Sequence, residues 1–278
     1  MEKETIVEHQ LEQNDQLEEG QYEGQEHPGE KARSKTGLAA FLALIVLAFS
    51  KLKFLLVFLK AGKFMGTALS MLVTIGIYGS IFGWKYAVGF VLLIFVHEMG
   101  HFIVARQVEL NVSAPIFIPF IGAFIAMKKQ PRDAVTEAKV ALGGPVWGSL
   151  AALLCLVIGL NFNNGLWMAL AYSGFLINIF NLIPVSPLDG GRIVSAISPK
   201  LWLVGLPILA VSAFYFFNPI IILLLIFGAY QAYQQWKTRD SSYYDTPANL
   251  RMQFAVLYFG LLLALGVGMA YIHSVYPV

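Results

Sequence analysis

The chain is poor in two things that soluble proteins use freely. Charged side chains make up only 13% of its 278 residues, against 57% apolar. That balance argues against a soluble domain and for a polytopic membrane protein. Cysteine is nearly missing: Cys155 alone permits no intrachain disulfide and no cysteine cluster around a metal. Any metal site must therefore use histidine and carboxylate. Acids are also scarce where the chain is apolar. Of the 19 basic and 17 acidic residues, four and ten fall in residues 1–36, leaving 15 and 7 for the rest. The first segment, with a net charge of −6, lacks an apolar period and reads as a disordered acidic tail, cytoplasmic or peripheral. It has no basic stretch ahead of an apolar run, so a cleavable signal peptide is not expected. The remainder, net +8, carries its cations at the flanks of apolar runs rather than in a solvent-facing patch, which argues against nucleic-acid binding.

What the chain does have is a series of apolar runs near the length of about 20 residues that a spanning helix needs. They are Phe64–Gly83, Tyr86–Ala105, Ala141–Leu160, Leu166–Ile183, Leu201–Phe217, Pro219–Trp236 and Met252–Ile272. Within 37–63 the run Gly37–Leu59 is interrupted by Lys51 and Lys53, and it fits an interfacial helix better than a spanning one. The expected architecture is an all-α polytopic membrane protein, a helical bundle with the bilayer as its main partner. Val112–Met127 breaks the pattern. Pro115, Pro119 and Gly122 oppose a helix there, and β-branched and aromatic residues favour short strands or a re-entrant loop. Basic residues set the orientation: with Phe64–Gly83 running outward, ten lysines and arginines from Arg106 to Arg251 share the cytoplasmic side and only Lys85 the other.

Within the second run lies His97-Glu98-Met99-Gly100-His101. On a helix the two histidines project from one face, a turn apart, a spacing that suits one zinc ion with the intervening glutamate free to act on water. The alternative is a His-Glu-His trio that only stabilises helix contacts. Ionisable groups inside a span are costly and usually functional, which favours metal binding. Two histidines leave a hydrolytic zinc site incomplete, since it typically has three protein ligands plus water. Among the seven acids after residue 36, Asp189 alone lies deep between apolar segments without acidic neighbours, in Asn181-Leu-Ile-Pro-Val-Ser-Pro-Leu-Asp189-Gly-Gly-Arg192. It is either the third ligand or a plain N-cap of a helix through Ile193–Ile197, with Gly190-Gly191 allowing a tight turn beside it. The ligand reading completes a His₂-carboxylate site and is preferred. Glu98 can take a proton from water and pass it to a leaving amine. Asn181 either donates to a developing oxyanion or hydrogen-bonds Asn178.

Three motifs together, H-E-M-G-H at 97–101, G-G-P at Gly143–Pro145 and F-N-L-I-P-V-S-P-L-D-G-G-R at Phe180–Arg192, resemble the site-2 protease family of intramembrane zinc metalloproteases. Gly83–Gly89, Ala114–Ala123 and Glu137–Pro145 resemble its compact bacterial members, and the similarity covers about residues 50–198, so 64–198 is read as the protease core and 199–278 as additional C-terminal spans. The resemblance implies that His97, His101 and Asp189 bind one zinc per chain, that Glu98 is the catalytic base and that Asn181 acts near the scissile carbonyl. It implies a zinc endopeptidase acting on the transmembrane segments of other proteins, in a bacterial cell membrane with its active site toward the cytoplasm. A non-catalytic scaffold or chaperone of the same fold is the alternative, opposed by the intact Glu98. The PDZ and CBS domains of larger members are not expected here, and the sequence sets no oligomeric state.

Overall fold

A computed structural model describes residues 63–238 and 242–276. The acidic tail and nearly all of 37–63 lie outside them. All seven expected runs are helical, and five helices are long and apolar enough to cross a membrane. In chain order the elements are α1 (Lys63–Phe82), α2 (Trp84–Gln107), β1 (Ile116–Ile118), β2 (Gly122–Phe124), α3 (Ala134–Asn161), α4 (Gly165–Asn181), α5 (Asp189–Ile197), a 3₁₀ turn (Pro199–Leu201), α6 (Trp202–Phe216), α7 (Pro219–Thr238) and α8 (Ala248–Val275). Two of the expected spans are shorter in their apolar helical part: Gly165–Asn181 and Pro219–Gln234. Pro184 stops the first, and the polar Gln231-Gln234-Gln235 stretch ends the apolar part of the second. In the other direction, α3 begins seven residues before the expected Ala141. The Asp133 carboxylate caps it by accepting from the Thr136 N–H at 2.7 Å, which lets a polar first turn precede the apolar span.

Lipid tails give little hydrophobic drive for helix association, so spanning helices pack through small residues and polar contacts. This bundle does so around α3, which packs against α2, α4 and α5. A Cβ at Gly100 would come within 2.2 Å of the Gly143 carbonyl, and one at Gly174 within 2.7 Å of the Ala152 side chain. Ala134, Ala138, Ala141, Ala152 and Ala171 are all buried beside these crossings. The large apolar side chains Leu150, Leu154, Leu203, Val211, Val256 and Leu263 are instead exposed, as suits a surface solvated by lipid. The chain is a multi-pass integral membrane protein. Helix α8 shares the α3–α5 core through Phe254, Tyr258, Leu265 and Ile272, and Tyr258 Oη donates to the Leu182 carbonyl at 2.6 Å.

The non-helical segment is a β-hairpin. Ile116 pairs with Phe124, Phe117 with Ala123 and Ile118 with Gly122, antiparallel, and a bridge joins Val112 to Met127. Polar groups of α1 hold it: Thr67 Oγ1 donates to the Pro115 carbonyl (2.7 Å), while Ser70 Oγ and Tyr78 Oη accept from the N–H groups of Phe117 (3.2 Å) and Phe120 (2.8 Å). Because Phe117 spends its N–H on α1, the Phe117–Ala123 pair is the non-hydrogen-bonded kind. The N–H and carbonyl of Ala123 therefore point away from β1, along the outer edge of the hairpin.

Candidate metal centre and active-site cavity

Three elements bring the candidate ligands together. His97 and His101 lie one turn apart on α2, and the short α5 delivers Asp189 from its first residue. The helix-capping position is Leu188, and no side-chain cap is made there, so Asp189 is not an N-cap. Its Oδ2 lies 3.2 Å from His97 Nε2 and 3.2 Å from His101 Nε2, and the two Nε2 atoms are 3.1 Å apart. A tetrahedral zinc with bonds of about 2.0–2.1 Å sets its ligand atoms roughly 3.3–3.4 Å from one another, so this nearly equilateral triangle has the right size for one face of that polyhedron.

The outer contacts decide which nitrogens are free. Asn178 Nδ2 donates to the Gly174 carbonyl at 2.7 Å, which leaves its Oδ1 facing His97 Nδ1 at 2.9 Å. His97 Nδ1 must then carry the proton. His101 Nδ1 lies 2.8 Å from the Val140 carbonyl, which can only accept, so Nδ1 carries the proton there too. The Gly144 N–H at 3.3 Å from the same nitrogen is then a packing contact, because a protonated Nδ1 has no lone pair to offer. Both Nε2 atoms thus present lone pairs toward each other and toward a carboxylate, a donor set suited to a divalent cation. The residues present fit zinc.

Helix α3 covers this centre with glycine. A Cβ on Gly144 would lie 2.2 Å from His101 Nε2 and 2.7 Å from His97 Nε2, and one on Gly148 would strike the Asn178 amide at 2.5 Å. Gly143, Gly144 and Gly148 therefore serve one purpose, to let α3 approach the ligands and the residue that orients them. Gly190 and Gly191 do not form the tight turn expected of them. They lie within α5, where a side chain would overlap the Leu182 carbonyl and the Ser186 nitrogen; close packing of α5 under the preceding loop requires them.

A family model described as Peptidase family M50 matches residues 85–165 and 161–225, which include these histidines, glycines and the aspartate. The matched stretch is half of the chain. The chain belongs to Peptidase family M50. Among the relatives of this M50 protein is the zinc metalloprotease MJ0392 of Methanocaldococcus jannaschii, 34% identical over 125 residues, 41% of this chain and 35% of that protein. Another, the probable zinc metalloprotease EGY2, chloroplastic, of Oryza sativa subsp. indica, is 26% identical over 226 residues, 62% and 41% respectively. Stage IV sporulation protein FB of Bacillus subtilis is 24% identical over 112 residues, 39% and 38%. The chain thus spans about a third to two fifths of the length of these relatives. A solved site-2 protease from Methanocaldococcus jannaschii, 26% identical, covers 60% of this chain and 86% of its own with a TM-score of 0.41.

The metal-ligand atoms open on a cavity of about 760 Å³, and Glu98, Asn181 and Arg192 line it with them. Glu98 is only 7% exposed, and its carboxylate makes no hydrogen bond or ion pair among the described residues. Asn181 also lines the cavity, and its side-chain amide makes no hydrogen bond among those residues. The Asn181–Asn178 bond weighed from the sequence is absent, because Asn178 is committed to His97 and Gly174. Sequence reasoning treated Asn178 only as that partner and missed its orienting contact. The available signal was its place between Ile177 and Ile179, where a polar side chain is costly without a task. The edge of β2, with Ala123, Phe124 and Ile125, forms part of the cavity wall.

Proposed function

We propose that this M50 protein is an integral-membrane zinc endopeptidase that hydrolyses peptide bonds within or near the transmembrane segments of other membrane proteins. The observation that carries this is a ready-made triangle of three ligand atoms beside an unspent, buried glutamate. His97, His101 and Asp189 hold the metal, and zinc bound there would supply Lewis acidity to a water and to the scissile carbonyl. Asn178 and the Val140 carbonyl fix the two imidazole tautomers. The Glu98 carboxylate takes the proton of the attacking water and gives it to the leaving amine nitrogen. Its lack of a competing partner keeps it available for both transfers. Asn181 donates an amide N–H to the oxyanion of the tetrahedral intermediate.

A helical substrate hides its carbonyls in i→i+4 bonds, so it must be opened locally before attack. The outward N–H and carbonyl of Ala123 offer the opened strand a pairing edge, with little demand on side chains. The excess of flanking cations beside Arg106, Lys128 and Lys139 supports an active site toward the cytoplasm. The motif pattern shared with compact bacterial members supports a bacterial cell membrane. The test is direct. Purified protein in liposomes is given a single-span peptide, and the products are mapped by mass spectrometry. A cut in or beside the span, absent with Glu98→Gln, is expected; no cut in any of a panel of spans would contradict the proposal.

A further inference from the structure

Arg192 has no part in the chemistry above, yet it lines the cavity. It follows Asp189 by three residues on α5, so the two project from neighbouring faces one turn apart. Among the described residues it contributes the only guanidinium or ammonium of that wall. Its Nε lies 3.9 Å from Glu137 Oε1, too far for a hydrogen bond, and its side chain forms no hydrogen bond among the described residues. An ion pair of that length at a partly exposed site contributes little stability. It biases the guanidinium toward a carboxylate that is itself fixed. Glu137 is itself held by Tyr243, whose hydroxyl donates to Oε2 at 2.8 Å, and Tyr243 is tied down by the Ala134 N–H donating to its carbonyl at 2.9 Å. Burial, and then the Glu137 carboxylate, raise the Tyr243 hydroxyl above its ordinary range, so it remains a donor. The α7–α8 linker thereby anchors a chain from Tyr243 through Glu137 to Arg192.

The direction of this chain matters. Glu137 belongs to the first turn of α3, whereas His101 rests on Val140, three residues further along. Arg192 therefore faces the polar start of α3, ahead of the carbonyl that holds His101. A spanning segment carries acids only toward its ends. A substrate whose scissile bond reaches the metal centre therefore brings its juxtamembrane residues to this side of the cavity. At about 3.3 Å per extended residue, a guanidinium three residues along α5 from Asp189, about 4.5 Å by helical rise, meets side chains one to three residues from the cut. Its planar fork matches a carboxylate in two-point contact, whereas a neutral carbonyl is already served by Asn181.

We infer that Arg192 is a substrate-binding residue that selects an aspartate or glutamate one to three residues from the scissile bond on the polar side, with Glu137 and Tyr243 as its positioning residues. The inference rests on the proteolytic reading, and binding separates the two. Paired transmembrane peptides, identical except for Asp or Asn at those positions, are titrated onto full-length Glu98→Gln protein and then given to the active protein for kcat and KM. We expect the Asp peptide to bind about tenfold more tightly and to be cleaved with a correspondingly lower KM. The preference should collapse to within about twofold in Arg192→Gln with zinc content unchanged, and Tyr243→Phe should reduce it while leaving kcat on the Asn peptide unaltered. Arg192→Lys guards against a folding defect, since it keeps the charge and must keep at least a threefold preference. Equal loss of kcat on both peptides in Arg192→Gln, or no preference in the unsubstituted protein, would overturn the inference. Asp-dependent binding that requires Arg192, without cleavage of either peptide, would keep the carboxylate-binding role of Arg192 and count against the proteolytic reading instead.

Discussion

Gly144→Ala adds one methyl group to α3, and its consequence can be worked from distances. The new Cβ would stand 2.2 Å from His101 Nε2 and 2.7 Å from His97 Nε2, where ordinary contact needs about 3.4 Å, so His101 must retreat by about 1.2 Å. The ring cannot swing freely, because the Val140 carbonyl holds its Nδ1 at 2.8 Å, and α3 cannot withdraw without opening the Gly100–Gly143 crossing. Zinc ligation tolerates displacements of about 0.2 Å. Overpacking of this kind costs about 1–3 kcal/mol, and disturbing an orienting contact alone costs about 10–100-fold in metal affinity. Here the ligand atoms themselves are pushed, so zinc affinity should fall at least about 100-fold. Chelator-competition titration reads this, with thermal unfolding as the check on fold. Gly266→Ala on α8, where a Cβ meets nothing within 4 Å, is the control and should bind zinc normally. Wild-type affinity in Gly144→Ala would refute the reading of this glycine as clearance for the metal centre.

Asn178→Ala removes the acceptor that fixes His97 and should weaken zinc about 10–100-fold, again by competition titration; unchanged affinity would mean the tautomer is set elsewhere. Proline separates the two faces of β2. Ala123→Pro deletes an outward N–H and should cut turnover without loss of zinc, whereas Phe124→Pro deletes the donor paired with Ile116 and should loosen the hairpin itself; full activity in a folded Ala123→Pro protein would rule out substrate pairing along this edge. Cysteines at the exposed Lys128 and Arg132, in a Cys155→Ser background, should react with an impermeant reagent only when the cytoplasmic face is open, and labelling of intact cells from outside would reverse the orientation.

The helices were legible because apolar runs of bilayer length admit few other structures, and the prolines and glycine of Val112–Met127 marked an apolar segment that is not helical. The early start of α3 was not legible as part of a span, since Thr136, Glu137 and Lys139 are polar and the Asp133 cap starts the helix ahead of them. The metal triangle was readable residue by residue: His97 and His101 from their spacing, Asp189 from its isolation among apolar neighbours. The parts that stayed hidden are those whose partners lie far along the chain. Asn178 on His97, the Val140 carbonyl on His101, Gly144 above both and Tyr243 behind Glu137 are contacts across 39 to 106 residues of sequence, which no local period encodes. The double glycine after Asp189 misled for the same reason, because the loop it must clear can be seen only in three dimensions.

The central claim is that a metal held by His97, His101 and Asp189 works with Glu98 to cleave peptide bonds, and zinc content measured beside turnover on the same preparations tests it most directly. The account predicts one zinc per chain in the unsubstituted protein and in Glu98→Gln, with turnover lower by about 10²–10⁴-fold in the latter. His97→Ala and Asp189→Ala should lose both metal and turnover. Glu98→Gln that cleaves at the wild-type rate, or Asp189→Ala that keeps its zinc and its activity, would contradict it.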